Sequence, residues 1–189
     1  MNYLEGAEKF YDLFGAKNDV NFYIEEAARY GGPILELGVG TARLAIKLAE
    51  AGFETWGIDN SNYMLNTARS KKASLHKEVK EKLNLVLSDA RDFSIDKRFG
   101  MIYFPSGSFD HILKRENQIR TLQVIREHLK PGGVFIFNLY LVQYSDLDQR
   151  WFVQRRPLDD EHMVVRTGFS KIMLDRNLIS MDIWYELFK

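Results

Sequence analysis

The chain has 189 residues, 46% of them hydrophobic and 13% aromatic, which is enough for one globular domain with a buried core. Basic and acidic residues both number 26, and this zero net charge disfavours nucleic acid as the main partner, because phosphate binding requires a basic excess. Cysteine is absent, which excludes disulfides and thiolate metal sites, and the amino terminus lacks the basic and apolar regions of a signal peptide. We therefore expect a cytoplasmic protein with no membrane partner.

The first 30 residues carry apolar side chains at helical spacing and predict two helices, the second capped by Asn18 or Asp19. Short apolar runs then alternate with helical patterns, which is typical of βαβ units and a parallel sheet. The predicted strands of this sheet are residues 33–37, 53–58, 83–87, 101–104 and 134–139. The last of them is apolar enough to predict burial on both faces.

After Tyr140 the pattern changes to extended segments of mixed polarity. Residues 151–156, 162–171 and 178–188 predict antiparallel strands, with Asp175, Arg176 and Asn177 as a turn between the last two. We expect residues 1–140 to form a doubly wound α/β core with its N-terminal helices. Residues 141–189 then form an antiparallel extension, which is either a substrate-side segment or an incomplete closing hairpin.

The strongest chemical signal is the loop that follows the first predicted strand, Gly38-Val39-Gly40. Glycines at this place let the backbone approach a ligand closely, and the next helix turns its N–H groups toward the same spot. The dinucleotide fingerprint requires a third glycine where this chain has Arg43. Glu36 also precedes the loop, and its carboxylate would repel a pyrophosphate but suits a cofactor with cationic groups. This contrast favours S-adenosylmethionine over a nicotinamide cofactor.

Two further acids follow the next two strands. Asp59 comes 19 positions after Gly40, where a carboxylate can accept both ribose hydroxyls. Asp89 could accept from an adenine amino group while the Ala90 N–H donates to the ring. Without a ligand, Asp59 could instead cap the following helix, and Asp89 could be an acid in a surface turn. Because parallel sheets bind ligands at the carboxyl ends of their strands, three acids at three successive strand ends favour the ligand role.

These motifs resemble the class I S-adenosylmethionine-dependent methyltransferases, in particular members of the small-molecule type. The likeness covers roughly residues 10–140 and runs through LELGVGTAR, GIDNSNYML, LVLSDARDF, MIYFPSGSF and LKPGGVFIFNL in order. It implies a Rossmann-like fold and cofactor-contacting residues in five groups. These are Glu36, Gly38 and Gly40 at the amino-acid end, Asp59 at the ribose with Asn60 and Met64 nearby, Asp89 and Ala90 at the adenine, Phe104 and Ser106 beside the methionine moiety, and Tyr11 as a cover.

The chain departs from the family pattern in three places. Ala42 stands where a third glycine is common, and the signature for methylating amino groups of bases is absent, since the fourth strand ends Phe104-Pro105-Ser106. Members of this family usually insert antiparallel strands after the fifth strand of the sheet. Their chain then returns with a helix and a final hairpin that completes the sheet. Either residues 162–188 are that hairpin or the closing elements are missing, and we expect the second.

The predicted reaction is in-line methyl transfer to a small-molecule acceptor, for which alignment supplies most of the rate. A general base is needed only for a protonated acceptor, and His111 and Asp110 are the candidates, with Ser106 and Ser108 as positioning groups. His111 could instead cap the following helix. We expect no metal site and a monomer or homodimer. The alternative functions are a non-catalytic cofactor-binding or scaffold protein and a nicotinamide-dependent oxidoreductase.

Overall fold

The computed structural model describes residues 6–15, 18–140, 150–173, 176 and 178–189. Its contacts divide the chain into two compact units. The larger comprises Met1–Glu8 and Ala16–Tyr140, and the smaller comprises Lys9–Gly15 and Leu141–Lys189. The division into domains at residue 140 stays a prediction. Within the described part of the chain, no helix has the length and apolarity needed to cross a bilayer.

The larger unit is built on a sheet of five parallel strands in the order β3-β2-β1-β4-β5. The chain starts in the middle of this sheet, moves outward to β3 and then crosses back to β4, which creates a topological switch point between β1 and β4. Ligands of such sheets bind outside the carboxyl ends of the strands at that point. The strands are β1 (Ile34–Leu37), β2 (Thr55–Asp59), β3 (Leu83–Leu87), β4 (Phe99–Phe104) and β5 (Leu129–Phe137).

Helices cover both faces of this sheet, so the predicted doubly wound α/β fold is confirmed. Side chains alternate along a strand, and Ile34 of β1 therefore packs with the helices of one face while Leu35 packs with those of the other. The helices of this unit are α2 (Val20–Tyr30), α3 (Arg43–Glu50), α4 (Asn62–Ser74), α5 (Lys77–Lys82) and α6 (Arg115–His128), and a short 3₁₀ turn lies at Ser108–His111. A second 3₁₀ turn, Ala7–Lys9, spans the boundary between the two units.

Strand burial follows position in the sheet. Every residue of β1 and β4 is buried; β1 is the central strand and both strands have a neighbour on each side. The prediction that residues 134–139 are buried on both faces is wrong, because β5 is an edge strand among the described residues. Its residues are half-buried or exposed, and Phe137 has 41% of its surface exposed.

The starts of α2 and α4 show whether the side chain at the cap position caps the helix. Asp19 occupies the cap position of α2, but its carboxylate binds the Arg43 guanidinium through two hydrogen bonds of 2.7 Å instead of capping the helix. Ser61 caps α4 by accepting from the Met64 N–H. The Arg43 guanidinium holds the pKa of the Asp19 carboxyl below its usual range. The ion pair therefore joins the amino-terminal ends of α2 and α3.

The smaller unit contains α1 (Tyr11–Phe14) and an antiparallel sheet of β6 (Arg150–Pro157), β7 (Met163–Met173) and β8 (Leu178–Phe188). The rings of Phe10 and Phe14 contact Tyr185 of β8. In the described residues β7 pairs with β6 on one side and with β8 on the other, so β7 and β8 are not the closing hairpin of the parallel sheet. Residues 175 and 177 of the predicted turn lie outside the described residues.

Candidate cofactor-binding site at the carboxyl edge of the sheet

The glycine loop between β1 and α3 requires glycine at Gly38 for two reasons. Its φ of +65° lies in the left-handed region, which disfavours residues with a side chain. A Cβ atom at Gly38 would also lie 3.0 Å from the Phe104 ring and 3.3 Å from the Ser108 Cβ. Ala42, which stands in place of a common third glycine, has φ +62° and is fully buried at the start of α3. The loop is therefore tightly enclosed on the β4 side.

Asp59, at the end of β2, connects the glycine loop to the start of α4. Its Oδ2 accepts from the Gly40 N–H at 2.8 Å, and its Oδ1 accepts from the Ser61 N–H at 2.8 Å. Burial raises the pKa of this carboxyl, while the backbone donors lower it. The Asn60 backbone also contributes to this lowering, and because a carboxylate has about four lone-pair sites, Asp59 can still accept from a hydroxyl group. The Met64 methyl lies 3.4 Å from the position that a Cβ of Gly40 would take.

Glu36 is not at the surface of the crevice but beneath it, with 3% of its surface exposed. Its Oε2 accepts from the Tyr103 hydroxyl at 2.7 Å, and the Ala45 backbone also bonds to the carboxyl. Burial raises the pKa of Glu36 to about 8, against the lowering effects of the Tyr103 hydrogen bond and the Arg43 charge. Sequence reasoning missed Tyr103. Tyr103 lies on β4 directly beside Glu36 in the parallel register, a pairing that the sequence of neither segment indicates.

Asp89 follows β3 and is held by Arg91, which sequence reasoning also missed. The Arg91 Nε and Nη2 atoms donate to its two oxygens at 2.8 and 2.6 Å, and the Arg91 backbone N–H donates at 2.9 Å. These contacts lower the pKa of Asp89, with a smaller contribution from the Asn60 side chain. The structure thus brings Asn60 and Asp89 together, and Ala90 lies next to them, partly buried.

The loop after β4 carries the predicted catalytic residues. Ser106 is exposed and has φ +60°, a strained conformation for a residue with a side chain. Asp110 accepts from the Tyr140 N–H at 2.9 Å, so its carboxylate holds the segment after β5. His111 is exposed at the end of the 3₁₀ turn. It is not the cap of α6, because Lys114 occupies that position.

Two further predictions concern a cover for the cofactor and a metal site. Tyr11 is in α1, which belongs to the smaller unit, and its role as a cover stays a prediction. The described residues contain no group of three or more His, Cys, Asp or Glu side chains that could hold a metal ion.

The family described as "Methyltransferase domain" matches residues 34–133, which is more than half of the chain. The "Putative methyltransferase YqeM" of Bacillus subtilis is 30% identical over 119 residues, covering 62% of this chain and 46% of that protein. The "Cypemycin N-terminal methyltransferase" of Streptomyces sp is 32% identical over 103 residues, covering 54% and 40%. The chain therefore spans about half the length of these curated relatives.

Solved structures agree with this result. The "Glycopeptide N-methyltransferase MtfA" complexed with S-adenosyl-L-methionine has a TM-score of 0.62 and 26% identity, covering 90% of this chain and 78% of that one. Streptomyces venezuelae DesVI has a TM-score of 0.73 at 19% identity, covering 95% and 81%, which supports the fold alone. The preference for S-adenosylmethionine over a nicotinamide cofactor is confirmed. By its matched domain, its fold and its cofactor, the chain belongs to the class I S-adenosylmethionine-dependent methyltransferases.

Proposed function

We propose that this chain binds S-adenosylmethionine at the carboxyl edge of β1, β2 and β3 and transfers its methyl group to the nitrogen of a small acceptor. The observation that carries the proposal is the Asp59 carboxylate, which is already joined to the glycine loop through Gly40 and to α4 through Ser61. The relatives whose names specify an atom are N-methyltransferases, and this supports nitrogen as the acceptor atom.

The residues of this edge fit the chemistry of the cofactor. S-adenosylmethionine carries an ammonium and a sulfonium, and the edge presents the carboxyl groups of Asp59 and Asp89, while the Glu36 carboxyl lies beneath them with 3% of its surface exposed. Gly38 and Gly40 leave the backbone open where side chains would fill the space. In the proposed arrangement the contacts are Glu36, Gly38 and Gly40 with the amino-acid end, Asp59, Asn60 and Met64 with the ribose region, Asp89 and Ala90 with the adenine, Phe104 and Ser106 with the methionine moiety, and Tyr11 as a cover.

When bound, the cofactor supplies a methyl group that its sulfonium has already activated. The work left to the protein is to align the acceptor nitrogen and to remove its proton, because amines are protonated near neutral pH. Asp110 is engaged with the Tyr140 N–H, which suits it to positioning the segment after β5. We assign proton removal to His111 in the same loop, because an imidazole is the side chain that most often acts as a general base.

Calorimetric titration with S-adenosylhomocysteine tests the cofactor site. We expect Asp59→Ala to weaken binding by at least about tenfold, because a hydrogen-bonded carboxylate is lost from the ligand and from the loop. Asp96→Ala removes an exposed carboxylate just before β4, at the opposite edge of the sheet, and should leave affinity within about twofold. Circular dichroism confirms that both variants are folded. Equal affinities for Asp59→Ala and the wild type would contradict the proposed placement.

Turnover separates the enzyme from the non-catalytic alternative. We expect release of S-adenosylhomocysteine from S-adenosylmethionine in the presence of an amine acceptor, and a large loss of kcat in His111→Ala with unchanged cofactor affinity. The loss should shrink as the pH rises, because the acceptor then deprotonates in solution. A His111→Ala rate equal to that of the wild type at every pH would remove His111 from the mechanism.

A further inference from the structure

A buried tyrosine hydroxyl lies beneath the end of β5 and is not used by the cofactor site. Tyr23 of α2 has 2% of its surface exposed, and its ring packs against Tyr103 with centroids 4.9 Å apart. Its hydroxyl donates to Oδ1 of Asn138 at 2.9 Å. Asn138 directly follows β5 and is exposed. One end of the Asn138 amide is therefore bound to the protein interior while the side chain reaches solvent.

The sheet order places Asn138 on the acceptor side of the crevice. The proposed cofactor site takes the edge of β1, β2 and β3, with its reacting end at the switch point beside β4. An acceptor must then approach over the ends of β4 and β5, on the other side of that point. Two hydrogen bonds fix the chain there, from the Asn138 N–H to the Phe104 carbonyl at 3.4 Å and from the Tyr140 N–H to Asp110.

The Tyr23 hydroxyl sets which end of the amide is available. A buried hydroxyl needs a partner, since leaving it unpaired costs more than the hydrogen bond itself contributes. Burial, together with the nearby Asp19 and Glu36 carboxyl groups, raises the pKa of Tyr23 to about 12, so the hydroxyl keeps its proton and stays a donor. With Oδ1 engaged, the two Nδ2 hydrogens are what Asn138 can offer to a ligand.

We propose that Asn138 determines acceptor specificity by donating from Nδ2 to a carbonyl or carboxylate oxygen next to the acceptor nitrogen, with Tyr23 as its positioning residue. The inference rests on the proposed function. A site built to donate to such an oxygen discriminates against an amine that lacks it, because the donor is then desolvated without a partner. The acceptor class is an α-amino acid, carrying a carboxylate, or an α-amino amide, carrying a carbonyl.

Initial rates on the full-length protein, with S-adenosylmethionine and three amine probes, test this. Glycine carries the carboxylate, glycinamide carries the amide carbonyl, and ethylamine carries neither oxygen. We expect kcat/KM for the preferred oxygen-bearing probe to exceed that for ethylamine by at least about tenfold. Preference for glycine or for glycinamide identifies the source of the oxygen. Asn138→Asp keeps an acceptor for Tyr23 but replaces the donor, and should raise KM of that probe about tenfold or more.

Three controls separate recognition from general damage. Asn66→Asp makes the same change at an exposed position of α4 and should leave KM unchanged. S-adenosylhomocysteine affinity should stay within about twofold in Asn138→Asp. Tyr23→Phe should raise KM by about threefold, and by no more when it is added to Asn138→Asp, because Tyr23 acts through the Asn138 amide.

The outcomes that overturn the inference differ from those that overturn the proposed function. A wild type that binds S-adenosylhomocysteine but uses neither glycine nor glycinamide, or uses ethylamine equally well, has a different acceptor class. An unchanged KM in Asn138→Asp removes that residue from recognition. A wild type that does not bind S-adenosylhomocysteine overturns the proposed function, and this inference with it.

Discussion

At the end of β1, the Glu36 carboxyl is enclosed by the protein and receives a hydrogen bond from the Tyr103 hydroxyl. Removing a carboxylate from water is costly unless charges or hydrogen bonds replace the solvent, so the group favours its neutral form. Burial raises the pKa of the Glu36 carboxyl from its ordinary value of 4.5 to about 8. The Glu36 carboxyl therefore makes the stability of the fold depend on pH.

We expect the wild type to lose stability relative to Glu36→Gln as the pH rises from about 4.5 to 8. In this window the folded state holds a proton that the unfolded state has released, so the free energy of unfolding falls by up to about 1.4 kcal/mol per pH unit. Above the folded pKa both states are ionised and the difference levels off. Glutamine keeps the size of the side chain and an oxygen that can accept from Tyr103.

Urea denaturation of both proteins at several pH values measures this difference. All other titrating groups are present in both proteins, so the difference between their free energies of unfolding gives the contribution of Glu36. If the free energies of unfolding of the two proteins differed by the same amount at every pH between 4.5 and 8, the Glu36 carboxyl would already be ionised in the folded protein.

Among the elements, β2 is shaped by Gly57, which pairs with Glu36 of β1 in the parallel register. A Cβ atom at Gly57 would lie 2.5 Å from Cγ2 and 2.8 Å from Cβ of Val39 in the glycine loop. The absence of a side chain on β2 therefore lets Val39 pack over the strand, with 4% of its surface exposed. This contact sets how closely the loop lies on the sheet.

Gly57→Ala should destabilise the protein by about 1–3 kcal/mol, because the added methyl overpacks the contact with Val39. Val39→Ala removes the two Cγ atoms and should also destabilise on its own. The double variant should be more stable than the sum of the single losses predicts, since the clash and the cavity partly cancel. Denaturant unfolding of the four proteins gives the coupling, and strict additivity would show that the methyl is accommodated elsewhere.

The helices and strands were predictable from the sequence where local patterns define them. Alternating runs of apolar residues located all five parallel strands, and β3 begins and ends where it was predicted. The edge position of β5 was not predictable in the same way. Its apolar run is the same whether one or two strands flank it, and only the sheet order decides which.

For the whole molecule, the two units provide separate regions in which to observe cofactor binding. We expect hydrogen exchange to be slowest in β1 and β4, which are buried and flanked on both sides. Adding S-adenosylhomocysteine should slow exchange at residues 38–42 and 59–61, because those backbone groups border the proposed site. The strands β6, β7 and β8 should show no change. A uniform change across both units would contradict a site whose backbone contacts come from the glycine loop and the end of β2.

The sequence by itself determined the parallel sheet, the cofactor and the acids that follow its strands, because these are written in short motifs of adjacent residues. Only the tertiary structure decided that Glu36 is held by Tyr103, that Tyr23 orients Asn138, and that β6 to β8 form a sheet of their own. The two side-chain contacts join residues 67 and 115 positions apart. Such pairs come together only through the order and register of the strands, which the residue pattern of either segment does not encode.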